Sequence, residues 1–265
     1  MKISIVTISF NQAPFLELAI RSIVEQGYKD LEYIVVDPGS TDGSREIIEK
    51  YRSKITKVIF EKDSGPADGL NNGFSCATGE IFGFINADDA LLPGSLWNVS
   101  NYFEKNLEVD VVCGSGSIID AEDRVMKRVQ PTRFSKRLYV YGAVTFLQQS
   151  TFFRKKAFLE TDGFNKDNRT CWDGELFLDM AVHHQKFGIL HKDLALFRIY
   201  NTSISGSGNL SDIYKKDCNR IFKKVTGRGE NFFDKLLAKV YRLEKLVMYP
   251  RVTLTKLFTR MRHYK

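Results

Sequence analysis

The sequence predicts an α/β fold with a mostly parallel central sheet flanked by helices, and three observations carry that prediction. Short runs of β-branched and apolar residues alternate with helical patterns through the first hundred residues; the connections are short and built from turn residues; and the strand-like runs are apolar throughout, as strands buried on both faces are. The first run is Lys2 to Phe10 (KISIVTISF), followed by a helix in which Phe15, Leu16, Ala19, Ile20 and Ile23 share one face. Leu31 to Asp37 is the second strand. Asp37-Pro-Gly-Ser-Thr-Asp42-Gly-Ser is turn chemistry opening a helix near Arg45 to Tyr51, with Asp42 expected to cap it. Lys57 to Glu61 reads as a strand, Pro66 to Ala77 as a helix, and Glu80 to Ile85 as a strand that runs into Asn86-Ala-Asp88-Asp89 before a helix opening near Pro93.

In a parallel α/β sheet, ligands sit beyond the carboxyl ends of the strands. Four polar loops fall there: Thr7 to Asn11, Asp37, Asp63 to Asp68, and Asn86 to Asp89. Acids at the end of a buried strand contribute little to a core but can hold a divalent cation against a phosphate, because Mg²⁺ is usually shared between one or two carboxylates and the substrate. Taken alone, the same acids equally suit a solvated turn that caps the next helix.

Bulk properties narrow the function classes. The 265 residues carry a formal net charge of +7, with 43% hydrophobic and 27% charged residues, an ordinary globular composition. Cys76, Cys113, Cys171 and Cys218 are widely spaced and form no CxxC pair, which argues against a zinc cluster or a disulfide framework. No apolar run approaches the roughly 18 residues of a transmembrane helix, and the N-terminus enters a strand directly, so a cytoplasmic chain is expected. Charge is uneven: Lys215 to Lys265 holds 15 Lys or Arg against 4 Asp or Glu. In that stretch Phe232, Phe233, Leu236, Leu237, Val240, Leu243, Leu246 and Val247 recur at helical spacing. A basic amphipathic helix of this kind suits an anionic membrane surface better than nucleic acid, with a helix packed on its own domain or on a homodimer partner as the alternative.

The runs TISFNQAPFLELAIRSIVEQ, YIVVDPGSTDGSREII and EKDSGPADGLNNGFSCATGEIFGFINADDALLPGSL resemble the first half of a family 2 glycosyltransferase of the GT-A fold, over roughly residues 1 to 100. The VDxGSTDGS turn, the GxxDxxNxG helix and the NADD-x-x-x-PG segment carry the resemblance through their order and spacing. It implies a Rossmann-like GT-A domain at residues 1–205 and a basic helical extension at 206–265. It also implies a nucleotide-sugar donor, UDP-linked given the role it assigns to Asp37, and a saccharide or lipid-linked saccharide acceptor, as in bacterial cell-surface polysaccharide synthesis. The chain would then work peripherally on the inner face of the plasma membrane.

The resemblance also assigns roles. Asp37 would accept the imide N–H of a uracil-like base, as an acceptor-only carboxylate can, with Thr7, Phe10 and Asn11 around the same nucleoside. Asp68 and Asn71 would lie near the ribose and pyrophosphate. Asp88 falls on the metal-binding acid of the family's DxD motif, with Asn86 at the first acid position and Ala87 between them, so Mg²⁺ or Mn²⁺ would rest on Asp88, the diphosphate and water. Asp89 would orient the loop or touch the ribose. Asn72 stands where related sequences often carry a base. Thr170-Cys-Trp172-Asp173-Gly-Glu175 resembles the helix bearing the family's general base, which falls on Asp173; Trp172 replaces the usual Glu, and Glu175 is the nearest acid able to exchange roles with it. Without the resemblance, Asp173 and Glu175 read as helix-start acids. Gln149, before the Asp162-Gly163-Phe164 turn, would line the acceptor side. Tyr200 stands where many relatives have a histidine, so no histidine ligand is expected, and His183, His184 and His191 read as surface or capping residues. The rival functions are a non-catalytic sugar-nucleotide-binding protein of the same fold and a nucleotidyltransferase, the latter lacking a Gly-rich basic phosphate loop.

Overall fold

A computed structural model describes residues 1–207, 210–250 and 252. Its first half is the expected alternation: β1 (Ile3–Ile8), α1 (Ala13–Val24), β2 (Leu31–Val36), α2 (Ser44–Lys50), β3 (Lys57–Ile59), α3 (Pro66–Ser75) and β4 (Ile81–Asn86). There follow β5 (Ala90–Leu91), α4 (Ser95–Lys105), β6 (Val111–Ile119), β7 (Val125–Val129), α5 (Lys136–Val140), β8 (Thr151–Arg154) and α6 (Lys155–Leu159). The chain continues through α7 (Trp172–Val182), β9 (Phe187–Arg198), α8 (Ser211–Thr226) and α9 (Phe232–Met248).

Among the described residues one sheet runs in the order β3-β2-β1-β4-β8-β6-β9-β5, with β7 paired to β6. The four strands from β3 to β4 are parallel, and β8 enters antiparallel between β4 and β6. Register decides where the loops emerge. Ile8 faces Val36 on one side and Asn86 on the other, and Val36 faces Ile59, so four strands end level and deliver their loops to one edge.

Both faces of the sheet are buried, which is why the strands lack polar alternation. Ile3, Ile5, Tyr33 and Val35 pack with Leu16, Ile20 and Ile23 of α1, while Val6, Ile34 and Val36 pack with Leu70 and Phe74 of α3 on the other side. Helix α3 lies directly on the strands: a Cβ at Gly73 would fall 2.5 Å from a Val6 methyl, so only glycine fits. The N-cap of α2 is Gly43, at φ 99° and without a side-chain cap, so Asp42 does not cap the helix as expected but stands one residue before the cap. Its Oδ1 accepts from the Ser44 N–H at 3.1 Å and its Oδ2 from the Ala13 N–H at 2.9 Å, tying the starts of α1 and α2 together.

The C-terminal helices dock on α5 and α7. Arg220 of α8 makes a two-pronged contact with Glu175 of α7 at 2.6 and 2.7 Å, and Ile221 packs on Cys171 and Leu178. Helix α9 begins with a capping box between Asn231 and Asp234. It meets the turn after α5 through Tyr241 stacked on Tyr141 (5.3 Å between centroids), the Tyr141 hydroxyl on Asp234, and Lys245 on Thr145. The apolar stripe is not what docks: Phe232, Phe233, Val240, Leu243 and Val247 are exposed. Lys245 points at the domain, and the Arg242 guanidinium lies against Gly142. No described helix is long and apolar enough to cross a membrane.

Candidate active site

A cleft of about 690 Å³ opens at the edge where the strands end. The loop after β1 contributes Ser9, Phe10 and Gln12, that after β2 Pro38 and Gly39, that after β3 Lys62, Asp63 and Gly65, and the end of β4 Asn86, Ala87 and Asp88. The second half of the chain supplies the rest of the wall: Gln148 and Gln149, then Thr170, Trp172 and Asp173, then Arg198, Tyr200 and Thr202 to Ser205. Of the residues assigned from sequence, Phe10, Asn86, Ala87, Asp88, Gln149, Trp172 and Asp173 therefore share one cavity.

Asp37 sits immediately under this wall with a split role. Its Oδ1 accepts from the Gly39 and Ser40 N–H groups at 3.1 and 2.8 Å and from Arg45 Nε at 3.3 Å, the Asx turn that the sequence alone allowed. Its Oδ2 is buried without a partner, as is the hydroxyl of Ser9. Four expected nucleotide contacts are instead braces. Thr7 is buried beneath the floor against the Tyr33 hydroxyl at 3.1 Å. Asn11, at φ 52°, takes the Thr41 N–H on its Oδ1 and gives its own N–H to Ser40, locking the β1 and β2 loops together. Asp68 is engaged by Ser64 and by Lys166. Asn71 clasps the backbone of Phe164 from both sides at 2.8 and 2.9 Å, fixing the Gly163-Phe164 turn. Each accepts or donates within the protein, and none of the four is among the residues that line the cleft.

The acids after β4 divide into one open and one closed carboxylate. Asp89 is buried, accepting from the Arg198 N–H at 2.9 Å, Gln149 Nε2 at 2.8 Å and Asn86 Nδ2 at 3.0 Å. It orients the loop and is sealed off from any ribose. Gln149 touches the cleft, but its amide N–H is spent on Asp89. Burial, reinforced by the charge of Asp88, pushes Asp89 well above the usual carboxylate range; Asp88 is also raised by burial, which the Tyr200 hydroxyl and the Arg198 charge oppose. Asp88 itself opens into the cleft, and the buried Asn86 Oδ1 has no partner. Among the described residues no cluster of three His, Cys, Asp or Glu could hold a metal. A free carboxylate beside an unpaired amide oxygen nevertheless fits a hard cation that takes its remaining ligands from a diphosphate and water.

Asp173 stands at the start of α7. Burial raises its pKa, against hydrogen bonds from its own N–H and that of Gly174. The Tyr139 hydroxyl of α5 covers Gly174 so closely that a Cβ there would lie 2.0 Å away. Glu175, unlike Asp173, does not line the cleft. It is buried between Arg220, Asn165 and Asn168, and although burial opposes ionisation, those hydrogen bonds hold it below its ordinary value. The histidines behave as expected: His183 ends α7, and all three are exposed.

Ser9, Asp63, Arg198 and Tyr200 received no role from the sequence. Asp63 lines the cleft and is raised by burial. Arg198 is 2% exposed and Tyr200 closes the wall beside Asp88. An arginine and a tyrosine closing a strand directly before a Thr-Ser-rich turn was the available signal for the last two.

A Rossmann-like sheet with this cleft at its carboxyl edge is the GT-A architecture. The profile of glycosyl transferase family 2 matches residues 4–163, and the chain belongs to that family. An uncharacterized glycosyltransferase of Nostoc sp. is 36% identical over 213 residues, covering 77% of this chain and 66% of that protein. The GalNAc(5)-diNAcBac-PP-undecaprenol beta-1,3-glucosyltransferase of Campylobacter jejuni is 27% identical over 226 residues, 80% of this chain and 71% of that one. Among solved structures, S. aureus TarS 1-349 in complex with UDP-GlcNAc superposes with a TM-score of 0.70 at 18% identity, covering 94% of this chain and 73% of TarS. The mannosyltransferase PcManGT of Pyrobaculum calidifontis, in complex with GDP-Man and Mn²⁺, gives 0.65 at 19% identity over 96% of this chain and 73% of that one. These two likenesses establish the GT-A fold.

Proposed function

We propose that the protein transfers a sugar from a UDP-linked donor to a saccharide or lipid-linked saccharide acceptor, with inversion at the anomeric carbon and with a divalent cation. The observation that carries this reading is the distribution of unpaired groups. Among the described residues the buried side-chain polar atoms without a hydrogen bond are Ser9 Oγ, Asp37 Oδ2, Asn86 Oδ1 and Asp110 Oδ1, and the last of these is paired with Lys156 at 2.8 Å. The other three lie in the loops that build the cleft. Each such group costs about 1–3 kcal/mol when unpaired, so their grouping supports a polar ligand that satisfies them.

The chemistry follows from the placement. Asp37 Oδ2 accepts the imide N–H of uracil, a donor edge that purines present differently. Asp88 and Asn86 would hold the cation. When bound, a divalent cation supplies charge stabilisation for the departing diphosphate. Asp173 takes the proton of the acceptor hydroxyl as it attacks, and its raised pKa makes it a stronger base than an ordinary aspartate. One displacement with one base gives inversion. The names of the C. jejuni glucosyltransferase and of the TarS complex support a lipid-linked acceptor and a UDP-sugar.

The exposed stripe of α9 supports peripheral attachment to an anionic leaflet, where apolar side chains enter the headgroup boundary and Lys235 and Lys239 remain free to face it. Helix α9 rests on the turn after α5, and α5 covers the start of α7 that carries Asp173, so such placement brings the acceptor side of the cleft near the lipid. Nucleoside diphosphate release from a panel of sugar nucleotides, with and without lipid-linked acceptor and Mn²⁺, tests the reading. Release that needs both acceptor and cation is expected. Binding without turnover would favour a non-catalytic protein, and release of sugar 1-phosphate in place of nucleoside diphosphate a nucleotidyltransferase.

A further inference from the structure

We infer that Asp217 of α8 is a positioning residue for the acceptor: it takes the single proton of the Thr170 hydroxyl, so that Thr170 offers the cleft lone pairs alone and binds a hydroxyl of the acceptor saccharide. The inference rests on the reading that Asp173 is the base of a sugar transfer, and goes beyond it by naming a group that recognises the acceptor and the helix that polarises that group.

Thr170 lines the cleft together with Trp172 and Asp173, on the short loop that leads into α7. That loop is fixed from within. Asn168, 2% exposed, accepts on its Oδ1 from the Thr170 and Cys171 N–H groups at 3.1 and 2.9 Å and gives its Nδ2 to Glu175 at 2.7 Å. On this backbone the Thr170 hydroxyl donates to Asp217 Oδ2 at 2.7 Å, the short separation expected between a hydroxyl and a carboxylate. The other acceptor within reach, Cys171 Sγ, is 3.9 Å away and is a weak one. Asp217 therefore holds the proton's direction.

Asp217 is buried and held in turn. Its Oδ2 also accepts from the Arg169 N–H at 3.3 Å, and its Oδ1 faces Arg220 at 3.5 Å, the arginine that grips Glu175. Lys224 continues the row, reaching Asp179 at 2.8 Å. Residues 217, 220 and 224 lie on one face of α8, so this helix is laced in order to the loop before α7, to its first turn and to its second. Although α8 lies beyond residue 205, in the segment expected as an extension, it supports the cleft wall. A threonine hydroxyl has one proton and two lone pairs, and a carboxylate can only accept. With its proton spent on Asp217, Thr170 can only accept from whatever occupies the cleft. Phosphate oxygens and base carbonyls, which only accept, gain nothing there; a sugar hydroxyl does. Beside Asp173, that hydroxyl belongs to the acceptor.

The test follows UDP release by the full-length protein in Mn²⁺, with UDP-glucose, UDP-galactose or UDP-N-acetylglucosamine as donor and undecaprenyl-diphosphate-linked N-acetylglucosamine as acceptor. Wild type is compared with Thr170→Val, Thr170→Ser, Asp217→Asn and the double variant of Thr170→Val with Asp217→Asn; UDP affinity and melting are measured beside the kinetics. Thr170→Val and Asp217→Asn should each raise the acceptor KM about 10-fold, with kcat and UDP affinity close to wild type. Thr170→Ser should keep the wild-type KM, and the double variant should be no worse than either single one, because both remove the same bond. An acceptor KM equal to wild type in Thr170→Val overturns the inference, as does an Asp217→Asn protein that melts lower with an unchanged KM, which would confine Asp217 to the joint between α8 and α7. Should Asp217→Asn fail to fold, the contrast between Thr170→Val and Thr170→Ser decides. Wild type whose UDP release ignores the acceptor contradicts the transfer reading itself, an outcome distinct from acceptor-dependent release with unaltered variants.

Discussion

The backbone N–H of Arg198 donates to Asp89 Oδ1 at 2.9 Å, so the last residue of β9 and the acid after β4 are bolted together across the floor of the cleft. The Arg198 side chain extends the joint, giving Nε to the Asp88 carbonyl at 3.0 Å, Nη1 to the Asp120 carbonyl at 2.8 Å and Nη2 to Asp123 at 2.6 Å. Arg198→Leu leaves these acceptors without their donor and should lower stability by roughly 2–4 kcal/mol, together with weaker donor binding because Asp88 loses its support. Urea denaturation checks the first part. An unchanged midpoint would show that the joint is held by the backbone alone.

Asp173 and Glu175 lie two residues apart and should behave oppositely. Asp173→Asn keeps size and hydrogen bonding but cannot accept a proton, so turnover should fall about 10²-fold or more with donor affinity nearly unchanged. Glu175→Gln breaks the two-pronged contact with Arg220 and should cost roughly 2 kcal/mol of stability with a smaller effect on turnover per folded molecule. Steady-state kinetics beside thermal melts separate the two. A larger turnover defect in Glu175→Gln would move the base to that residue.

The same burial that raises Asp173 predicts a pH dependence. The base works ionised, so turnover should fall as pH drops through its elevated pKa, placing the acid limb of the kcat profile above that of an ordinary aspartate. A limb at the unperturbed value would contradict this.

Stability has a separate acid limb at Glu32. Burial acts against its ionisation, but hydrogen bonds from Ser4, Thr78 and Lys2 lower it from 4.5 to about 2. Between those values the unfolded chain binds the proton more readily than the folded one, so the contribution is complete above about pH 5 and is lost as pH falls toward 2, amounting to roughly 2–3 kcal/mol. Glu32→Gln should be less stable than wild type at pH 7, with the difference shrinking as both are acidified. A difference that stays constant with pH would assign the effect to packing.

Helix α9 offers its apolar stripe outward, and Phe232, Phe233 and Val247 are at least 70% exposed. Replacing these three by serine should leave melting and UDP binding intact while reducing cosedimentation with anionic vesicles at low salt; truncation after Gly229 should reduce cosedimentation further, but it also removes the contacts of α9 with Tyr141 and Thr145 and should lower the melting temperature. Wild-type protein that ignores vesicles and elutes as a dimer would make the stripe a subunit interface.

The strands, their loops and the cleft they build were legible because a parallel sheet buried on both faces writes each strand as an unbroken apolar run closed by turn residues. The placing of Asp88 and Asp173 in one cleft was legible through the family's motif order. Thr7, Asn11, Asp68 and Asn71 were not, since a polar side chain near a site can brace a loop as readily as touch a ligand, and spacing does not tell whose N–H it accepts. β6 and β9 pair across some 75 residues of sequence, beyond the reach of local periodicity. The period of α9 showed that a stripe exists, but its outward orientation depends on Asp234, Tyr241 and Lys245 finding partners near α5.

The central claim is that one cleft joins a cation-dependent donor site at Asp88 to an acceptor-side base at Asp173. UDP release from the preferred UDP-sugar, measured for wild type, Asp88→Ala and Asp173→Asn in Mn²⁺ and in excess EDTA, tests it most directly. Wild type should need Mn²⁺, Asp88→Ala should lose both turnover and Mn²⁺-dependent UDP binding, and Asp173→Asn should lose turnover while keeping that binding. Full wild-type activity in EDTA, or unchanged turnover in either variant, would contradict it.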